Sequence, residues 1–381
     1  MKKKTAYQYP WRSNNTFQVL VDGAEFFPAM LDEIKKAKQF ILLEHYLFES
    51  GKAANEFITE LCRAREKGIK VFVLLDEYGS KGLNIQDKDK LINSGIQLLL
   101  YHPTSIFHFS KSLKRDHRKL LIADNKVSFI GGAGITDEFS SELSNDYWHD
   151  VMLKIEGDVV SDLTHSFQKI WNKYKTPHLN LISKKQTATD KKNKARVLIA
   201  EGAERNEIIR AIIKQIRSSK NRVWLTSPYF ISSWKIRRAL RDAAKKGIDV
   251  RLIFPGEHSD HNWITHGIRR YYQRLLKANA AVYEFQPRFT HSKIILCDDW
   301  FTIGSSNLDR WNQFLNLDAN IEVYNEQAYQ QITKVFKADF AKSSLIILNQ
   351  WSTRSFLQQS KEWISGIAIN FLGFISRKFK R

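Results

Sequence analysis

Short apolar runs, each about four to eight residues long, recur along the chain between Gly, Asp, Asn and Lys. In the first half they cover 17–21 (FQVLV), 40–48 (FILLEHYLF), 69–76 (IKVFVLLD) and 96–101 (IQLLLY). Their length and β-branched content predict buried strands. Between them, apolar residues repeat at helical spacing over 26–38, 53–67 and 88–94. Gly68 stops the second of these helices directly before a strand, the alternation of an α/β sheet.

The pattern then repeats. Arg196–Gly202 echoes Gln18–Gly23, Glu207–Ser218 echoes the first helix, and 222–230 (RVWLTSPYF) echoes 40–48. Gly23 to Gly202 and Gly68 to Gly247 are each 179 positions apart, and His117 to His291 is 174. An internal duplication accounts for this, with one α/β unit per half. The division is a basic N-terminal arm (1–15), a first domain (16–183), a charged linker (184–194, ending KKNK), a second domain (195–350) and a tail (351–381). The arm reads as loosely attached.

The chain has 381 residues, enough for two ordinary cores, and a net charge of +20. That charge points to an anionic partner, a nucleic acid or an anionic membrane surface. Cys62 and Cys297 both lie in apolar surroundings, which fits a reducing compartment rather than a disulfide framework. The N-terminal residues read as no secretory signal, and no stretch reaches the ~18 apolar residues of a spanning helix. The tail is mostly apolar over 363–375 (WISGIAINFLGFI) and closes on Arg377-Lys378-Phe379-Lys380-Arg381. It reads as an amphipathic helix lying in a membrane interface; the competing reading packs it on the protein's own core.

The chemistry concentrates in two stretches, Asp116–Asp124 and Thr290–Asp298, each reading His-x-Lys-x-x-x-x-Asp. Residues two apart on a strand share a face, so His117 projects with Lys119, and His291 with Lys293. Each stretch leads to a second apolar strand and a small-residue turn, Gly131-Gly132-Ala133-Gly134 and Gly304-Ser305-Ser306-Asn307. Such turns let backbone N–H groups approach a phosphate, making Gly131, Gly132, Ser305 and Asn307 candidate phosphate-binding positions. A single strand histidine is ordinarily structural, but the matched pair is equipment for phosphoryl chemistry. One imidazole attacks phosphorus, the other protonates the leaving alkoxide, and the lysines neutralise the non-bridging oxygens. No cofactor is needed for this, and no dense cluster of carboxylates or cysteines calls for a metal; His258 and His261 read as polar-loop residues. Asp124 and Asp298 close the two signatures but read as mainly structural turn residues. Asp150 and Asp318 are the better candidates to bind the imidazole Nδ1–H groups.

At these residues the chain resembles the phospholipase D superfamily, whose mark is the paired His-x-Lys-x-x-x-x-Asp motif. Within it the chain is similar to bacterial cardiolipin synthases, in particular the short type without N-terminal transmembrane helices. The resemblance runs from about residue 17 to residue 345 and includes Phe129-Ile130-Gly131-Gly132, Asp146-Tyr147-Trp148-His149-Asp150, Ile155-Glu156-Gly157, Ser227-Pro228-Tyr229-Phe230, Gly304–Asp309 and Leu315–Asn320. It implies two tandem, pseudo-symmetric α/β/α sandwich domains with the active site at their interface. The signature His, Lys and Asp of both copies, His117, Lys119, Asp124, His291, Lys293 and Asp298, are catalytic in that family pattern. It also implies phosphatidyl transfer from one phosphatidylglycerol to another through a phosphohistidine, with glycerol released, at the cytoplasmic side of the bacterial membrane. His117 is then the nucleophile and His291 the acid and later the base, with the reverse assignment left open by the near symmetry. Three departures stand out: Gly134 where the family's first turn usually has Asn, Asp318 where Glu is common, and Arg310-Trp311 in place of Arg-Ser. A phospholipase D-type hydrolase, a nuclease of the same superfamily and a non-catalytic binding module are the alternatives; the apolar basic tail and the flanking segments weigh against nucleic acid. Because both site halves lie in one chain, a dimer is not required.

Overall fold

The computed structural model describes residues 6–102, 114–143, 145–176, 178–181, 193–202, 205–309, 315–355, 358, 360–362 and 364–366. Its first half runs β1 (Asn15–Val21), α1 (Asp22–Lys36), β2 (Phe40–His45), α2 (Lys52–Glu66), β3 (Lys70–Asp76), α3 (Ile85–Asn93), β4 (Gln97–Tyr101), β5 (Lys119–Ala123), β6 (Val127–Gly131), β7 (Val151–Gly157) and α4 (Val160–Tyr174). The second half runs β8 (Lys194–Glu201), β9 (Arg205–Asn206), α5 (Glu207–Ser218), β10 (Arg222–Thr226), α6 (Trp234–Lys245), β11 (Asp249–Pro255), α7 (Asn262–Arg269), α8 (Tyr272–Leu276), β12 (Ala281–Phe285), β13 (Ile294–Cys297), β14 (Trp300–Gly304), β15 (Leu317–Tyr324), α9 (Glu326–Ala341) and β16 (Ser343–Leu345).

The duplication is explicit in the sheets. The first is ordered β1-β7-β6-β5-β2-β3-β4. The second contains β8-β15-β14-β13-β10-β11-β12, the same order strand for strand, with β9 and β16 added at its edges. In both, three strands are parallel and joined through helices, while the motif strand (β5 or β13) runs antiparallel beside the first of them. The motif strand therefore begins where β2 or β10 ends, and His45 lies opposite Lys119 in the register. That junction is the carboxyl end of the parallel strands, the usual place for a site in an open α/β sheet.

Both faces of the central strands are covered, which explains their unbroken apolar runs. Along β2, Leu42 joins an inner core, while Ile41 and Leu43 face an outer core under α1 and α2. The inner core collects residues of both sheets together with Phe167 and Trp171 of α4 and Ile332 and Phe336 of α9. The outer core of the second half lies under α5 and α6. The halves thus share one interior rather than touching at a polar seam. A buried ion-pair cluster adds to it: His149 meets Asp22 at 2.7 Å and Asp339 at 3.2 Å, and Arg288 bonds Asp22. Burial disfavours the His149 imidazolium, but Asp339 and the hydrogen bond to Asp22 outweigh it and raise the pKa to about 9.

Several element boundaries differ from the sequence reading by a few residues, and the arm differs in its attachment. The strand expected over 222–230 ends at Thr226, because Pro228 cannot extend the ladder, and 40–48 ends at His45. The N-terminal arm is not loose over its described residues. Arg12 exchanges both backbone hydrogen bonds with Ala195 and pairs with Asp162 at 2.7 Å, Gln8 N–H donates to Glu207, and Tyr9 is buried. This segment staples the second half to the first. The linker lies almost wholly outside the described residues, as do 367–381 of the tail and Arg310-Trp311. The part of the tail that is described packs on the second domain, with Trp351 against Tyr272 and Arg354 paired with Glu362 at 3.1 Å.

Candidate active site

Two short parallel bridges, Asp116 with Leu317 and His149 with Thr290, join the halves at the motif strands. His117 N–H donates to Leu317 C=O at 2.9 Å, and His291 N–H donates to His149 C=O at 2.7 Å. Each bridge sets a motif histidine beside a carboxylate of the opposite half. His117 Nδ1 lies 3.0 Å from Asp318 Oδ1, and His291 Nδ1 lies 2.8 Å from Asp150 Oδ2. Asp318 and Asp150 thus each meet an imidazole, in both cases that of the opposite half. Neither half holds a complete site, so the duplicated unit needs its twin.

Both imidazoles, both lysines and both carboxylates are buried. Lys119 Nζ bonds His117 C=O at 2.6 Å, and Lys293 Nζ bonds His291 C=O at 2.7 Å, so each ammonium is aimed by its own motif. Lys293 Nζ also lies 3.0 Å from His291 Nε2. The small-residue turns make room for this. A Cβ on Gly132 would meet Asp150 Oδ2 at 2.5 Å and Lys293 Nζ at 3.0 Å, and one on Gly131 would meet Met152 Cγ at 2.7 Å. Ser305, in the place corresponding to Gly132, instead donates its hydroxyl to Asp318 at 2.7 Å. Asn307 is buried, with its Oδ1 unpaired among the described residues. Gly134 backs onto Leu47, where a Cβ would come within 2.8 Å, so the Asn usual at that position would not fit this backbone.

Burial and mutual repulsion set the protonation states. Burial, with Lys119 beside it, lowers His117 to about 4. Burial and the two lysines hold His291 well below its ordinary value. Burial and Lys293 lower Lys119 to about 7, and burial lowers Lys293 to about 8 against the pull of Asp150. Burial pushes the Asp150 carboxyl up to about 7, with Lys293 opposing. These shifts leave both imidazoles neutral and bring both ammonium groups close to deprotonation near neutral pH. A phosphodiester anion seated between the lysines relieves that repulsion.

Asp124 and Asp298 stand apart from this cluster, at the far ends of the motif strands. Asp124 accepts from the backbone N–H groups of Lys38, Gln39 and Phe40 at 2.8–2.9 Å. Asp298 repeats this with Lys220, Asn221 and Arg222 at 2.7–2.9 Å. Both sit at positive φ, 54° and 51°, which Asp tolerates well. The two carboxylates tie the motif strand to the start of its neighbour, a structural clamp of the kind their turn positions led one to expect, although the family signature groups them with the catalytic residues. Asp124→Ala and Asp298→Ala should each cost about 2–4 kcal/mol in denaturant unfolding, with turnover falling less than about tenfold. A far larger loss of turnover in a fully stable variant would return them to the catalytic set.

Several neighbours were not legible beforehand. His291 stands among Phe139, Trp148, Tyr229 and Phe289, with ring centroids 5.5–6.3 Å away, whereas His117 meets Tyr46 at 5.0 Å. Arg118, the variable residue of the first motif, is buried against Asp116, Glu44 and Ser166. It fixes the motif from behind. Only the apolar stretch around it hinted at burial.

A family model described as cardiolipin synthase, PLD-like domain, matches residues 30–171 and 212–340. The chain belongs to this family. It is 30% identical to a cardiolipin synthase of Clostridium perfringens (strain 13 / Type A) over 93% of this chain and 76% of that protein. It is 31% identical to cardiolipin synthase B of Salmonella typhimurium over 84% and 79%, and 27% identical to the minor cardiolipin synthase ClsB of Bacillus subtilis over 97% and 93%. The crystal structure of a phosphatidylserine synthase from Haemophilus influenzae shares the fold, with a TM-score of 0.75 at 15% identity, covering 97% of this chain and 96% of that one.

Proposed function

We propose that this chain is a cardiolipin synthase-like phosphatidyltransferase working through a phosphohistidine. The observation that carries the reading is the exchanged pair of His–Asp contacts around two buried lysines. It supplies two imidazoles of fixed orientation at one anion-binding point. The resemblance to cardiolipin synthases implies the substrate, phosphatidylglycerol.

In the first step His117 Nε2, neutral and held by Asp318 at Nδ1, attacks phosphorus. The bond from phosphorus to the glycerol oxygen breaks, and His291 gives that oxygen its proton. The phosphodiester anion itself raises the His291 pKa from its depressed position, so the ring can hold that proton. Lys119 and Lys293 neutralise charge on the non-bridging oxygens, about 3–4 kcal/mol for such a contact in a closed site. In the second step His291 takes the proton from the hydroxyl of another phosphatidylglycerol. That oxygen bonds phosphorus, the P–N bond breaks, and its electron pair returns to His117. The Lys293 ammonium lies 3.0 Å from Nε2 and 3.1 Å from Nδ1 of His291, beside both ring nitrogens, where it crowds that imidazole against attack on phosphorus and leaves it the proton carrier. Lys119 makes no such contact with the His117 ring among the described residues, leaving Nε2 of that ring for attack.

With no described helix long and apolar enough to cross a membrane, peripheral attachment at the cytoplasmic face fits the reading, aided by basic surface and the apolar C-terminal segment. The test is purified protein on phosphatidylglycerol vesicles, with products read by mass spectrometry. Cardiolipin and glycerol in equal amounts are expected. Phosphatidic acid in place of cardiolipin would make water the acceptor and the protein a hydrolase.

A further inference from the structure

The loops at the mouth of the second half carry two exposed tryptophans that the chemistry does not use. Trp234 is 51% exposed and Trp263 is 43% exposed. Trp234 opens α6, five residues after Tyr229, whose ring faces His291. Trp263 is the second residue of α7, three residues after Asp260, which accepts the Tyr229 hydroxyl. One contact therefore ties both loops to each other and to the wall of the active site. Ile85, 71% exposed, opens α3 in the first half, on the connection after β3 that corresponds to the connection after β11.

The exposed half of each tryptophan gains nothing for the fold, and two at one rim are more than scattered exposure. Their surroundings are basic. Helix α6 carries Lys235, Arg237, Arg238, Arg241 and Lys245 against Asp242 alone. Lys235 is exposed, and Arg238, paired loosely with Asp242 at 3.5 Å, stacks over the Trp234 ring at 5.1 Å. The last described residue, Gly366, packs against the Arg270 side chain, directly after α7. The sequence that follows is apolar and then basic.

From these features we infer that Trp234 and Trp263, with the basic face of α6, form the surface on which the enzyme docks on an anionic bilayer. The inference rests on the reading of the substrate as a bilayer phospholipid. Indole rings suit the headgroup level, with an apolar body and a polar N–H, and cations beside them attract anionic lipid. Docking there places the His291 side of the site against the membrane. A headgroup then enters without its acyl chains leaving the lipid.

The experiment is co-sedimentation with phosphatidylcholine vesicles with and without phosphatidylglycerol. The double variant Trp234→Ala/Trp263→Ala should bind the anionic vesicles at least about tenfold more weakly, the loss expected when apolar rings no longer bury. Its turnover on vesicles should fall in step, while a monomeric short-chain phosphatidylglycerol is turned over at the wild-type rate. That soluble activity also reports that the variant is folded. Lys235→Glu/Arg238→Glu should bind more weakly at low salt and lose the preference for anionic vesicles. His291→Ala should dock as the wild type does and turn over nothing. Unchanged docking of the double Trp variant, or a wild type that does not sediment, overturns the inference. A wild type that docks through these residues but transfers no phosphatidyl group overturns the functional reading and leaves the docking surface standing.

Discussion

His291→Ala should still form the covalent intermediate when the leaving group needs no proton, and His117→Ala should not. A phosphatidyl ester of p-nitrophenol provides that leaving group, because p-nitrophenolate departs unprotonated. Mixed rapidly with His291→Ala, it should release a burst of p-nitrophenol equal to the enzyme present, followed by a very slow steady state. The proton acceptor for the second step is then missing, so the phosphatidyl-enzyme accumulates and can be found by mass spectrometry on His117. His117→Ala should give no burst. With phosphatidylglycerol itself both variants should lose at least about 10³–10⁴ in turnover, and the double variant should be little worse than either. The basis is the asymmetry at the rings: both lysines bond their own histidine's carbonyl, at 2.7 and 2.6 Å, but Lys293 Nζ also stands 3.0 and 3.1 Å from the two nitrogens of the His291 ring, whereas Lys119 makes no contact with the His117 ring among the described residues. A burst from His117→Ala and none from His291→Ala would exchange the two roles.

The duplication, the order of strands and helices, and the His-x-Lys pairs could all be read from the chain. Each is encoded locally, in a run such as FILLEH or in a spacing of two residues on a strand. Asp150 and Asp318 were also within reach, because both follow a small-residue turn at the start of a strand. What could not be read was their exchange. Asp318 serves His117 because a two-residue bridge pairs Asp116 with Leu317, a contact between segments some 200 positions apart that no local pattern specifies. The attachment of the N-terminal arm is illegible in the sequence for the same reason. Its polar, basic sequence looks free until Arg12 meets Ala195 and Asp162. The clamp made by Asp124 shows the converse. A carboxylate in a family signature invites a catalytic role, but its place in the turn that ends the strand already points to a structural one, and its three N–H partners at 38–40 supply it.

The two orienting carboxylates are not equivalent, and their amide variants should differ with pH. Asp318 receives the Ser305 hydroxyl at 2.7 Å in addition to His117. Asp150 faces Gly132, whose missing side chain supplies no such donor, and it takes the Val151 N–H at 2.7 Å. Burial has pushed the Asp150 carboxyl up to about 7. Below that pH the wild-type group is itself neutral and resembles an asparagine; above it the group is charged and the amide is not. Asp150→Asn should therefore approach wild-type turnover a unit below about 7 and fall progressively behind a unit above it. Asp318→Asn should lose about 10³–10⁴ in kcat at both, since an amide no longer fixes which nitrogen of His117 carries the proton. Asp318→Glu should recover much of that loss, because the longer carboxylate still accepts from Nδ1. A structural role alone would give both amide variants the same pH profile, with losses tracking their thermal stability. A parallel pair of profiles would show the two carboxylates to be equivalent.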